Sequence, residues 1–267
     1  MSTAQDLLAA GDPAGALKLL QQQVRSAAAD AKLRTFLFQL LAVLGQWPRA
    51  LDQLKVCGEL DSSTLAMVNT YSAAVQCERV REAVFAGSAT PHVFGPPTDW
   101  IAQLAQALQL DAQGQGAQAA AARAAALDAA PASRGRMNET DFEWIADADS
   151  RLGPTLEVVI NGRYGWLPFE HVSALAIEPV VDLRDLVWAP AQLTFANGAG
   201  TVCLLPVRYP GTAAQADGAL QLARKTEWLE LGEGQYRGLG QRVIATDAAE
   251  LGLLEVRSLT IHPAAAA

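Results

Sequence analysis

The residues best suited to chemistry cluster at Asp147-Ala-Asp149-Ser-Arg151-Leu-Gly-Pro154, with Glu157 just beyond and Asp182-Leu-Arg184-Asp185 downstream. A hard divalent cation needs several oxygen ligands. One reading is therefore a metal-dependent hydrolase or small-ligand sensor using Asp147, Asp149, Glu157, Asp182 and Asp185. Yet each acidic group has an arginine close in sequence, and a carboxylate held by a guanidinium through two parallel hydrogen bonds needs no metal. From Arg134 onward the basic residues are ten arginines and a single lysine, Lys225. Solvated surface charge would use more lysine, so the bias predicts a region stitched by arginine-to-carboxylate or arginine-to-carbonyl contacts. Asp147, Asp149, Arg151, Asp182, Asp185 and Arg208 are the candidates for such structural pairing.

Other catalytic signatures are missing. His92, His171 and His262 are scattered, and general acid-base work without histidine would need a carboxylate or lysine with a displaced pKa. No Gly-x-Ser-x-Gly elbow and no phosphate-binding Gly-x-x-x-x-Gly-Lys-Ser/Thr occurs. The glycine-rich stretch from Gly232 to Gly240 has the wrong spacing for a dinucleotide site and reads as a hairpin loop. The sequence thus predicts no catalytic residue, no cofactor and no resident metal, hence a protein that is not an enzyme. Aromatic residues remain: Trp144, Trp166, Phe169, Trp188 and Trp228. Trp and Arg dominate binding hot spots, so these five and Arg184 are candidates for contact with a partner, core packing being the alternative for each.

The elements that must position these residues fall into two stretches, as a length of 267 residues leads one to expect. Residues 1–133 read as successive helices with Leu and Ala at three- and four-residue spacing. Gly11-Asp-Pro-Ala-Gly-Ala16-Leu17 returns as Gly45-Gln-Trp-Pro-Arg-Ala50-Leu51, 34 residues later. That is the period of a tetratricopeptide helix pair, an irregular helical bundle being the alternative. Further helices are expected over Ser63 to Ala86, Thr98 to Leu110 and Ala117 to Ala130, with a loop from His92 to Pro97.

At Pro131-Ala-Ser-Arg-Gly-Arg136 the pattern changes to short β-rich segments, so residues 134–267 are expected to form a mixed, largely antiparallel α+β domain. Strands are predicted at Leu156 to Ile160 and Tyr164 to Leu167 around Asn161-Gly162, and at Gln192 to Phe195 and Val202 to Val207 around Asn197-Gly198. Asn-Gly between apolar runs favours type I′ hairpins because both residues tolerate positive φ. Glu227 to Leu231, Gly240 to Ala245 and Val256 to Ile261 complete the set.

Composition narrows the partners. The 20 basic and 28 acidic residues give a net charge of −8 with no basic run, which argues against nucleic acid and anionic membrane. No run approaches the roughly 20 apolar residues that span a bilayer. The N-terminus lacks a secretory pattern, and Cys57, Cys77 and Cys203 suit reduced thiols, so a cytoplasmic protein is expected. No feature sets an oligomeric state.

Read in order, the second half contains Phe142-Glu-Trp-Ile145, Asp147 to Pro154, Asn161-Gly-Arg-Tyr-Gly-Trp-Leu-Pro-Phe169 and Pro179-Val-Val-Asp-Leu-Arg-Asp-Leu-Val-Trp188. Leu205-Pro-Val-Arg-Tyr-Pro210, Leu222-Ala-Arg-Lys-Thr-Glu-Trp228 and Gly240-Gln-Arg242 follow. Over about residues 135 to 262 this succession resembles the ImpE family, also called SciE-type virulence proteins or TagJ. The resemblance implies an accessory protein of a type VI secretion system that acts in the cytosol beside the contractile sheath. It further implies binding to the N-terminal helix of the small sheath subunit, TssB, and a link to sheath recycling by the ClpV unfoldase. It transfers no catalytic residue.

Overall fold

The fold is that of a computed structural model, and the structure describes residues 3–96 and 98–263. A helical part is followed by a largely antiparallel β part. The helices are α1 (Ala4–Ala9), α2 (Pro13–Ser26), α3 (Ala31–Val43), α4 (Trp47–Leu60), α5 (Leu65–Phe85), α6 (Asp99–Ala112) and α7 (Gly116–Ala129). Their ends follow from local chemistry. Thr3 and Asp6 form a capping box, Asp12 and Asp30 accept the free N–H groups that open α2 and α3, and Pro stands in the first turn of α2 and α4.

Between α3 and α4 the chain turns at Gly45, whose φ of 64° few side chains tolerate. Ala50, five residues on, is fully buried, so the two helices approach closely. Gly11 with Ala16 repeats this device, and so does Gly114 with Ala119, an instance that the weak sequence echo does not reveal. The expected loop places His92 and Phe94 against the sheet; Pro97 lies outside the described residues.

The strands are β1 (Gly135–Met137), β2 (Thr140–Phe142), β3 (Ile145–Asp147), β4 (Thr155–Ile160), β5 (Arg163–Pro168), β6 (Val172–Ile177), β7 (Trp188–Phe195), β8 (Gly200–Pro206), β9 (Thr226–Gly232), β10 (Gln235–Gly240), β11 (Val243–Thr246), β12 (Glu250–Gly252) and β13 (Ser258–Ile261). A short helix, α8 (Gly218–Gln221), precedes β9. Eight strands form one antiparallel sheet in the order β2-β1-β13-β6-β7-β8-β4-β5. β12-β11-β3 form a second sheet, and β9 and β10 a separate ribbon.

The two predicted Asn-Gly hairpins exist but turn differently. Asn161 and Gly162 both have positive φ, 50° and 72°, as a type I′ turn requires. At the second turn only Gly198 does, because the longer connection closes through Phe195 and Ala199. The segment predicted as one strand from Gly240 to Ala245 is split between β10 and β11. Likewise, the supposed loop from Gly232 to Gly240 is mostly strand, with its turn confined to Gly232–Gln235.

All six residues of β4 are buried, because both faces of the large sheet are covered. Leu156, Val158 and Ile160 point to one side, where Leu167, Leu175, Leu193, Leu205 and Leu259 join them. Val159, Tyr164, Trp166, Trp188 and Leu204 share the other core with Leu20, Leu41, Leu54, Val75 and Leu104 of the helices. This second core takes residues from both sides of the compositional change at 131–136. The strand edge of β5 is sealed by the helical part: Trp166 N donates to the His92 carbonyl at 2.7 Å and Phe94 N donates to the Trp166 carbonyl at 2.8 Å.

Candidate functional site

Helix α5 carries Glu78 and Arg81 on the side where it meets the sheet, while the exposed Glu82 accepts from Trp47 Nε1 of α4 at 2.7 Å. The i, i+3, i+4 stripe of Tyr71, Ala74 and Val75 continues straight into Glu78 and Arg81, so charged residues occupy positions that an amphipathic helix gives to apolar ones. That displaced charge was the sequence signal for the site, and it went unread. Both residues are buried, and each finds its partners on the sheet.

Arg81 grips Glu157 of β4 in bidentate fashion, Nε to Oε1 and Nη2 to Oε2 both at 2.7 Å, and Nη2 also donates to the Arg208 carbonyl at 2.7 Å. Glu157 accepts a further bond from the Tyr164 hydroxyl at 2.5 Å, and Trp166 Nε1 donates to that hydroxyl at 2.9 Å. Glu78 accepts from Trp188 Nε1 at 2.8 Å. Below them Arg242 lies 3.7 Å from Glu157 and donates through Nε to Asp147 at 2.8 Å, while the Tyr209 hydroxyl donates to the other Asp147 oxygen at 2.8 Å. Asp149 holds Arg151 by two bonds of 2.9 and 2.6 Å and receives Gly238 N at 2.9 Å. Three arginines and four carboxylates are thus interleaved in a seam between helix and sheet.

The electrostatics follow from burial and pairing. Burial pushes the Asp147 carboxyl up to about 6, against the pull of Arg242 and with a further push from Asp149. Burial also works against the charged form of Glu157, but Arg81 and its hydrogen bonds outweigh it and hold that carboxyl below the usual range. Burial lowers Arg208 to about 10. Its guanidinium meets no carboxylate, contrary to the sequence expectation. Nη1 donates to the Val43 and Gln221 carbonyls, both at 2.6 Å, and Nη2 to the Ala42 carbonyl at 3.3 Å, so it caps the end of α3. Cys77 and Cys203 are driven by burial to about 11 and about 12, which keeps them as thiols.

The acidic residues grouped in the sequence do not converge. Asp147, Asp149 and Glu157 belong to the seam. Asp182 and Asp185 instead cap the short 3-10 helix Leu183–Leu186, where both pair with Arg184. Among the described residues no group of three or more His, Cys, Asp or Glu side chains is placed to hold a metal ion. The carboxylates that would have formed such a site are saturated by guanidinium, hydroxyl and amide donors.

The aromatic candidates divide as well. Trp166, Phe169 and Trp188 are at most 1% exposed, so they are core residues beyond a partner's reach; the sheet register turns the two tryptophans inward, and Phe169 opens the 3-10 helix that follows β5. Trp144 and Trp228 remain on the surface at 42% and 40%. Arg184 is partly exposed, with its guanidinium 4.8 Å from the Tyr71 ring centre. Beside it the segment 179–187 lies on α3, with Leu183 N donating to Gln39 Oε1 at 3.1 Å. A groove of about 330 Å³ lies there, lined by Lys32, Thr35, Phe36, Gln39, Thr64 and Asp182 among others. The chain neighbours of its wall, Leu60, Leu65, Val180 and Val181, are exposed large apolar residues, Val181 at 86%.

Comparison with known proteins adds to this geometry. The sequence pattern of a family described as ImpE protein matches residues 139–260, a span that includes every seam residue except those on α5. A Pseudomonas aeruginosa protein named type VI secretion system accessory component TagJ is 56% identical over 260 residues, covering 97% of this chain and 91% of that one. A crystal structure of a Vibrio parahaemolyticus protein shares the fold, with a TM-score of 0.89 at 22% identity over 98% of each chain. Among the described residues no helix is long and apolar enough to cross a membrane.

Proposed function

Because the chain belongs to the ImpE family, we propose that it is a non-enzymatic accessory protein of type VI secretion that binds the N-terminal helix of the small sheath subunit TssB. The observation that carries the reading is the 56% identity to TagJ along nearly the whole chain, which supports the accessory role. The partner helix is the finer part of the proposal, as are the cytoplasmic location and a link through the sheath to recycling by ClpV.

Two features of the molecule favour a binding role. The buried carboxylates have no access to a substrate and are already neutralised, so what the seam supplies is rigidity. The groove beside α3 is lined from both parts of the chain, with Phe36 in its wall and the exposed Leu60, Leu65 and Val181 next in sequence to its polar lining residues, and an amphipathic helix is held by laying its apolar stripe in a groove. The recurrent glycine-alanine helix junctions fit a tetratricopeptide-like scaffold for this groove.

The test is co-purification with TssB. Recovery of TssB, and its loss when the TssB N-terminal helix is deleted, is expected. Failure to recover folded intact TssB sinks the partner assignment. Val181→Asp is expected to reduce recovery, whereas unchanged recovery moves the contact away from the groove.

A further inference from the structure

Strands β6 and β7 are antiparallel neighbours, yet ten residues, 178–187, join them. A hairpin needs only about two to five. The excess leaves the sheet and crosses to α3 as a strap fixed at both ends. Arg257 Nη1 donates to the Ile177 and Glu178 carbonyls at 3.2 and 3.0 Å, and Val207 N donates to the Val187 carbonyl at 2.9 Å. Between those points the strap is closed on itself. Asp185 Oδ2 accepts from Val181 N at 2.9 Å and Asp182 N at 2.8 Å, the Asp182 side chain caps the 3-10 turn Leu183–Leu186, and Arg184 pairs with both carboxylates.

Its ties to the helical part are fewer. Leu183 N donates to Gln39 Oε1, Leu183 and Leu186 lay apolar surface on the helical core, and Arg184 covers the Tyr71 ring and approaches Met67 Sδ at 3.5 Å. The α3 face thus already holds one helical turn, through leucines three residues apart and an N–H at the start of the turn. An amphipathic helix presents the same chemistry at its first turns. The face also runs on beyond the strap: Lys32, Thr35, Phe36 and Gln39 stand at i, i+3, i+4 and i+7 on α3 and line the open groove, as Asp182 of the strap does. From Lys32 to Gln39 that stretch is about 10 Å long, roughly two turns. A longer stripe laid along α3 reaches the ground on which Leu183 sits.

We propose that the turn Leu183–Leu186 is a resident competitor, seated where a partner helix extends along α3, and that it lifts as a unit when that helix binds. The inference rests on the sheath-helix reading and adds a regulatory step to the same groove. Lifting breaks the Gln39 bond and the Arg184 contacts with Tyr71 and Met67, but the box formed by Asp182 and Asp185 travels with the turn, so few polar groups lose a partner. Glu178 stays clamped by Arg257, which keeps Val180 and Val181 at the rim. Apparent affinity for the helix is then lowered by the fraction of molecules whose strap is raised.

The probe is a fluorescent peptide of the TssB N-terminal helix, titrated into the full chain and followed by anisotropy. Leu183→Ala and Arg184→Gln each loosen the strap without altering α3, and each is expected to tighten binding about tenfold. In the unaltered chain, exchange of the Leu183 amide hydrogen is expected to speed up when the peptide binds. Peptide binding that leaves the Leu183 amide as protected as before, or that is no tighter in either folded variant, overturns the competitor and leaves the sheath-helix reading standing. Absence of binding to the unaltered chain and to both variants overturns both. Where thermal melting shows that one variant does not fold, the other variant and the Leu183 exchange decide.

Discussion

The seam under α5 and the β9–β10 ribbon use the same residue types to opposite ends. In the seam Trp166, Trp188, Tyr164 and Tyr209 are enclosed, and each polar tip spends its hydrogen bond on a buried carboxylate or on another tip. On the ribbon Trp228 and Tyr236 stay more than a third exposed, and the strand edge is left without a ladder. Residue type alone therefore does not separate scaffold from contact surface. What separates them is whether the partner is already in the chain: Glu157 has Arg81, whereas Glu230 has none.

The sharpest way to break the contrast is to remove the sheet. A fragment ending at residue 133 keeps the helices but loses Trp166, Trp188, Leu204 and Tyr209 from their core. It is expected to unfold without a cooperative thermal transition, and a sharp one would show that the helical part stands alone. Next in size is Arg81→Met, which strands Glu157 and Glu78 in the interior and should cost about 3–5 kcal/mol in urea denaturation. A loss below about 1 kcal/mol would make the seam incidental to stability.

A third prediction concerns pH. The folded state holds the Asp147 proton more tightly than the unfolded chain, about 6 against 3.8. Its charged form therefore opposes folding above about pH 6, and stability contributed by this group rises as pH falls from 7 towards 4. Glu157 runs the other way, its stabilisation being lost as pH falls below its unfolded value of 4.5. Asp147→Asn should abolish the rise between pH 7 and 5 in denaturation midpoints and leave the acid loss in place. Smallest of all, Trp144→Ala should shift stability by no more than about 0.5 kcal/mol. A larger loss would mean that this exposed ring belongs to the scaffold.

Much of the architecture was legible where a pattern is local. The long helices, the change at 131–136 and the hairpin at Asn161-Gly162 all follow from periodicity or from φ tolerance within a few residues. The strands β1, β2, β3 and β12 were missed because three residues display no alternation, and the six-residue β6 was missed as well, its Val-Ser-Ala-Leu-Ala-Ile run being apolar at nearly every position rather than alternating. Arginine enrichment pointed to internal pairing, yet it gave wrong or missing partners wherever they are remote. Arg81 and Glu157 lie 76 residues apart, and Arg208 reaches the end of α3 from 165 residues away. Trp188 stands among Leu186, Val187 and Ala189 and Trp228 between two glutamates, yet both were grouped as contact candidates, and the fold buries the first under α5 and leaves the second facing water.

The seal that His92 and Phe94 place on β5 has a consequence for biosynthesis. The covering segment is made before the strand it covers, and at ~5–20 residues per second it waits roughly 4–15 s for Trp166 to emerge. When β5 arrives, its outer edge meets a partner already in place on the same chain, so a neighbouring nascent chain finds nothing there to pair with. The order of synthesis thereby guards the margin of the large sheet at Trp166 against mispairing.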